Sequence, residues 1–148
     1  FEALLADFSS AHDLAGSSIT GESRGSSMAA LTPPFTAPEL LVLPSLSSFS
    51  VVPTTASDVF SMAITLLVAA TGDLLLYPGT NNMQRLAMAR EGHKVLEFVR
   101  SGRNGCRVPR NGPVEQVIKP ATSKDPDQRI SSDDWLRLVE DIFGSARV

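Results

Sequence analysis

The sequence predicts a mainly α protein entered through one short β element, and three observations carry that expectation. A long apolar run follows Thr55, the last segment places apolar residues at helical spacing, and prolines bar a long helix between Leu31 and Val52. At 148 residues with 43% apolar content, the chain has material for a buried core and fits one domain or a portion of a larger one.

From Glu2 to Phe8 a short apolar stretch is compatible with a buried strand, and the polar Ser9-Ser10 step ends it. Between Ala15 and Ala30 the chain turns to Gly and Ser with scattered charge, too little apolar surface to offset the entropy of ordering, so a mobile loop is expected. Prolines at 33, 34, 38, 44 and 53 forbid a long helix before Val52, although Ala37 to Leu43 has room for one turn. After Thr55, with Ser57 or Asp58 as cap, the run VFSMAITLLVAA is apolar on all sides, which predicts a helix packed around its whole circumference and stopped at Gly72. Asn81 to Glu91 and His93 to Arg100 predict two further helices separated by Gly92, and Arg103 to Pro113 reads as loop. In the last helix, Ser131 and Ser132 precede two aspartates, and Trp135, Leu138, Val139 and Ile142 share one face.

Charge and cysteine content narrow the function classes. With 13 basic and 16 acidic residues the net charge is -3, which supplies no basic field for nucleic acid and no polybasic run for a membrane surface. The run from Val59 to Ala70 is shorter than the roughly 20 residues that cross a bilayer. A single cysteine, Cys106, rules out an internal disulfide and a thiolate zinc cage, and it suits an intracellular, cytoplasmic setting. Phe1 to Ala6 has neither an initiator Met nor a signal-peptide pattern, so the chain is expected to be a fragment.

Short strings then stand in a fixed order: Asp7-Phe8-Ser9, Thr32 to Glu39 (TPPFTAPE), Ser57 to Ser61 (SDVFS), and Asp125 to Arg129 (DPDQR). In this order and spacing they resemble the DFG, APE, DVWS and DPxxR signatures of the C-terminal lobe of eukaryotic protein kinases. The resemblance covers nearly the whole chain, from about Leu4 to Ile142. It implies a protein-kinase-like C-terminal lobe with a long activation segment over residues 1–39, an insertion over 40–57 and a helical remainder over 58–148.

What the resemblance implies for individual residues follows from the motifs. Asp7 corresponds to the ligand that bridges Mg²⁺ to ATP, and Phe8 to the apolar plug beside it; a carboxylate is the hard oxygen donor that Mg²⁺ takes. Ser9 replaces the family's Gly and is expected to restrict the flipping of Phe8 without removing a metal ligand. Thr32, Pro33 and Phe35 fall in the substrate-docking loop, and Thr32 favours serine/threonine specificity. Glu39 and Arg129 are the family's ion-pair partners, able to form a bidentate contact. Asp58 caps a helix and, in the family, also hydrogen-bonds the catalytic-loop backbone.

Other features carry less. Ser17, Ser18, Thr20, Ser23, Ser26, Ser27 and Thr32 are hydroxyls that phosphorylation could charge. His12-Asp13-Leu14 echoes the kinase HRDL loop, but it lacks the Arg and follows the DFG-like string, so it is given no catalytic role. The Gly-rich cover, the lysine, the catalytic Asp and the Asn that phosphoryl transfer requires are not found among these residues. The expectation is therefore a portion of a protein serine/threonine kinase that uses ATP and Mg²⁺ on a protein substrate. No catalytic residue lies within this chain, which is expected to be inactive without its N-terminal lobe. The alternative is a pseudokinase or kinase-derived scaffold that binds partners without catalysis.

Overall fold

The structure, a computed structural model, describes residues 4, 6, 11, 32–41, 52–79 and 81–144. Among these the protein is mainly helical and has no strand. Its helices are α1 (Thr55–Thr71), α2 (Asn82–Arg90), α3 (Val95–Ser101), α4 (Pro113–Ala121) and α5 (Ser132–Gly144). Short 3-10 turns occupy Pro38–Leu41, Gly92–Lys94, Gly105–Arg107 and Pro126–Gln128.

The expected β element at the N-terminal end is corrected where it can be seen. Leu4 and Ala6 belong to no strand and are exposed, Leu4 at 81%. An apolar stretch becomes a strand only when a neighbour completes its hydrogen-bond ladder, and no other strand is present among the described residues. Asp7, Phe8, Ser9, the expected mobile loop and the hydroxyls from Ser17 to Ser27 lie outside the described residues.

Helix α1 is the centre of the core, with Phe60, Ala63, Ile64 and Leu67 fully buried. At roughly 1.5–3 kcal/mol for each large apolar side chain, that stripe fixes the position of the helix. Its cap differs from the expectation. Thr54 is the N-cap, its hydroxyl accepting from Ser57 N at 3.3 Å while Ser57 Oγ accepts from Thr54 N at 2.9 Å. Asp58 stands four residues beyond the N-cap and lies exposed in the first turn. The helix itself starts at Thr55, where the apolar run was expected to turn helical. At its other end Gly72 takes φ 69 and donates to Val68 O, while Arg107 Nη1 donates to Thr71 O at 2.9 Å.

Whole-circumference burial of α1 is also corrected, because Met62 and Leu66 are 45% and 40% exposed. Only one side is fully covered, where α4 packs against α1 and α5 packs on α4. Val117, Ile118 and Ala121 of α4 enter the core, and Trp135 of α5 closes it, its indole Nε1 donating to Val117 O at 2.8 Å. Leu138, Val139 and Ile142 pack against the same core, the one-face arrangement their spacing predicts. Helix α4 was not expected from the sequence. Pro113 opens it at a first-turn position, but Pro120 stands inside its last turn and masks the helical pattern.

Candidate functional site

The segment 32–41 is a tight turn followed by a 3-10 turn, and tertiary contacts hold both in place. Phe35 N and Thr36 N donate to Thr32 O at 3.0 and 3.3 Å, and Thr32 N donates to Thr36 Oγ1 at 2.9 Å. Thr32 is exposed, Pro33 and Phe35 are half-buried, and Pro34, Thr36 and Ala37 are buried. The Pro33-Pro34 peptide is cis. The turn therefore presents Thr32 and anchors its other end with small buried residues. Leu41 is 1% exposed, and its carbonyl accepts from Arg90 Nε at 3.3 Å.

Glu39 lies in this 3-10 turn and meets Arg129, ninety residues away in sequence. Arg129 Nη1 donates to Glu39 Oε1 and Nη2 to Oε2, each at 2.7 Å, a fork-on-fork geometry. The same guanidinium donates from Nη1 to Ala56 O at 2.9 Å and from Nε to Ser123 O at 3.1 Å. Its carbon stands 5.1 Å from the Phe60 ring centroid. The Arg129 side chain is 0% exposed and that of Glu39 24%. A buried charge is tolerated only with such partners, since loss of hydration must be made good by hydrogen bonds. Here one side chain ties the 3-10 turn at 38–41 to the start of α1 and to the segment after α4.

The DPDQR string places Arg129 by local geometry. Asp125 Oδ1 accepts from Asp127 N at 3.1 Å and caps the 3-10 turn Pro126–Gln128, after which Arg129 is extended with φ -75 and ψ 145. Ile130 N then donates to Pro120 O at 3.1 Å, fixing the strand-like step beside the end of α4.

The sequence-predicted residues divide accordingly. Glu39 and Arg129 are brought together, Thr32, Pro33 and Phe35 form one turn beside them, and Asp58 is exposed on α1 with no side-chain hydrogen bond or ion pair among the described residues. Asp7 and Phe8, the expected nucleotide and metal contacts, lie outside the described residues. No group of three or more His, Cys, Asp or Glu suited to a metal ion occurs among the described residues. Residues that sequence reasoning passed over are Ala56 and Ser123, whose contribution is a backbone carbonyl and carries no side-chain signal. No helix among the described residues is long and apolar enough to cross a membrane.

No protein-family model, curated protein or solved structure matches this chain.

Proposed function

We propose that this chain is the C-terminal-lobe portion of a protein serine/threonine kinase. In this reading the Thr32–Phe35 turn docks a protein substrate, and Asp7 with Phe8 holds the magnesium-bound ATP. The observation that carries it is the bidentate contact between Glu39 and Arg129, because the APE-like and DPDQR strings were paired by resemblance alone. A linker glutamate and a helix-flanking arginine with unrelated roles have no reason to meet with both oxygens engaged and the guanidinium wholly buried. The exposed Asp58 carboxylate is then available to accept backbone N–H groups from a catalytic loop.

By this reading the chain supplies a metal ligand and scaffold, and the groups that accept the substrate proton and clamp the phosphates come from elsewhere in the protein. The test is to read the coding sequence upstream of the Phe1 codon. An HRD-x-x-x-x-N string preceded by a strand lysine supports an active kinase, and the encoded protein should then phosphorylate serine or threonine and lose that activity in Asp7→Ala. An upstream sequence with no kinase-lobe features overturns the reading. A kinase lobe lacking only the catalytic Asp and the lysine identifies the scaffold alternative, which Ser9 and the Ser- and Pro-rich segment 40–57 favour.

A further inference from the structure

Two buried polar atoms without a hydrogen-bond partner among the described residues, Tyr77 Oη and Arg85 Nε, belong to residues that line the same cleft. The cleft, of about 450 Å³, lies between the 72–79 loop, the start of α2 and the turn at 102–104. Tyr77 is 3% exposed, and its ring is held edge-on to Phe98 with centroids 5.7 Å apart. Burial pushes the phenol well above its usual range, so the hydroxyl keeps its proton and serves as a donor.

Arg85 is positioned by helix α2, and its Nη1 makes one long contact, 3.5 Å to Asn82 Oδ1. The opposite edge, bearing Nε and Nη2, has no hydrogen-bond partner among the described residues, and it is the edge that takes two oxygens of a carboxylate or phosphate. Arg103, exposed on the facing turn, has no ion pair among the described residues, and neither has Arg85. The acid in the lining, Asp73, is engaged with its own loop, its Oδ1 accepting from Leu75 N at 2.9 Å. The walls thus carry two guanidinium groups against one carboxylate, an excess of positive charge and donors, and Asp73 forms no ion pair with either among the described residues.

We propose that this cleft binds an oxyanion, a carboxylate or phosphate monoester, clasped by Arg85 and Arg103 with the Tyr77 hydroxyl donating to one oxygen. Such a ligand supplies the acceptor that the buried donors lack, which is the condition under which unpartnered polar groups are retained. Arg103, free at the surface, turns inward to complete the clasp. The proposal does not depend on the kinase reading, since none of these residues belongs to the motifs that carry it.

The experiment titrates the full chain with inorganic phosphate, with acetate and with a capped leucine-flanked phosphoserine peptide, following backbone amide resonances. Saturable shifts confined to residues of the cleft are expected. Arg85→Gln should weaken phosphate binding about tenfold or more, and Arg103→Gln and Tyr77→Phe should each weaken it about three- to tenfold. Tyr77→Phe keeps the ring packing, so it reads the hydroxyl without disturbing the fold. Preference for the peptide over phosphate identifies a polypeptide side chain as the source, and equal affinity identifies a free anion. Absence of saturable shifts with all three probes, or affinity unchanged in both Arg85→Gln and Tyr77→Phe, overturns the proposal.

Discussion

Arg129 engages Nε, Nη1 and Nη2 in hydrogen bonds to three separate segments while fully excluded from water. Arg129→Ala leaves Glu39 without its cation and frees two backbone carbonyls, so it should destabilise the protein by about 3–5 kcal/mol, read from urea unfolding. Arg129→Lys keeps the charge yet cannot reproduce the fork, and it should recover only part of that loss. Glu39→Gln should cost less than Arg129→Ala, because the guanidinium keeps Ala56 O and Ser123 O as acceptors. His93 gives a second residue-scale prediction. Its Nδ1 is buried without a partner among the described residues, and burial lowers its pKa below 6.5, with Lys94 and Lys124 adding to that and Glu91 and Glu97 opposing it. A lowered pKa means that the unfolded chain binds the proton more readily, so stability is full above pH 6.5 and falls as pH drops through the folded value. Glu91, held low by Lys94, and Glu115, held low by the Asn111 N–H and then Arg100, act in the same direction but only below their ordinary 4.5. Between these windows His93→Gln should flatten the pH dependence of the unfolding midpoint.

At the scale of elements, the 3-10 turn at Pro38–Leu41 docks through a close approach at Gly92. A Cβ there would stand 2.8 Å from Phe60 Cζ and 3.0 Å from Pro38 Cγ, and Phe60 has no room to move in a fully buried stripe. Gly92→Ala should therefore cost on the order of 1–3 kcal/mol in denaturant unfolding, with the perturbation centred on the 38–41 turn and the middle of α1. The beginning of α1 was legible as helix because its apolar run is long, yet its cap was misplaced. Thr54, Ser57 and Asp58 all carry capping side chains, and only backbone geometry, β at Thr54 and helical beyond it, selects among them. Helix α4 stayed hidden because a proline near a helix end is indistinguishable, in sequence, from one that ends it sooner.

For the whole molecule, the core runs from α1 through α4 to Trp135 of α5, and the Glu39–Arg129 contact ties the motif-bearing turn to that core. The conformation of the turn and the stability of the core are thus coupled. Under the proposed function the purified 148-residue chain should transfer no phosphate from ATP to protein substrates, since it contains Asp7 but not the base, lysine or Asn of the reaction. Incubation with labelled ATP and a general protein substrate checks this, and transfer by the pure chain would contradict the division of parts proposed here.

The sequence by itself determined the helical class, the positions of α1, α2, α3 and α5 and the stop at Gly72, because apolar periodicity and glycine conformation act over a few residues. It also singled out Glu39 and Arg129. Tertiary structure decided what those local rules do not reach: that the two meet across ninety residues, that Ala56 and Ser123 carbonyls complete the arginine's shell, and that one side of α1 is left exposed. It alone placed Tyr77 and Arg85 on one cleft with donors unpartnered among the described residues. These outcomes depend on which surfaces pack and exclude water, and that is a property of the assembled core, where a charge or a hydroxyl must find its partner or remain without one.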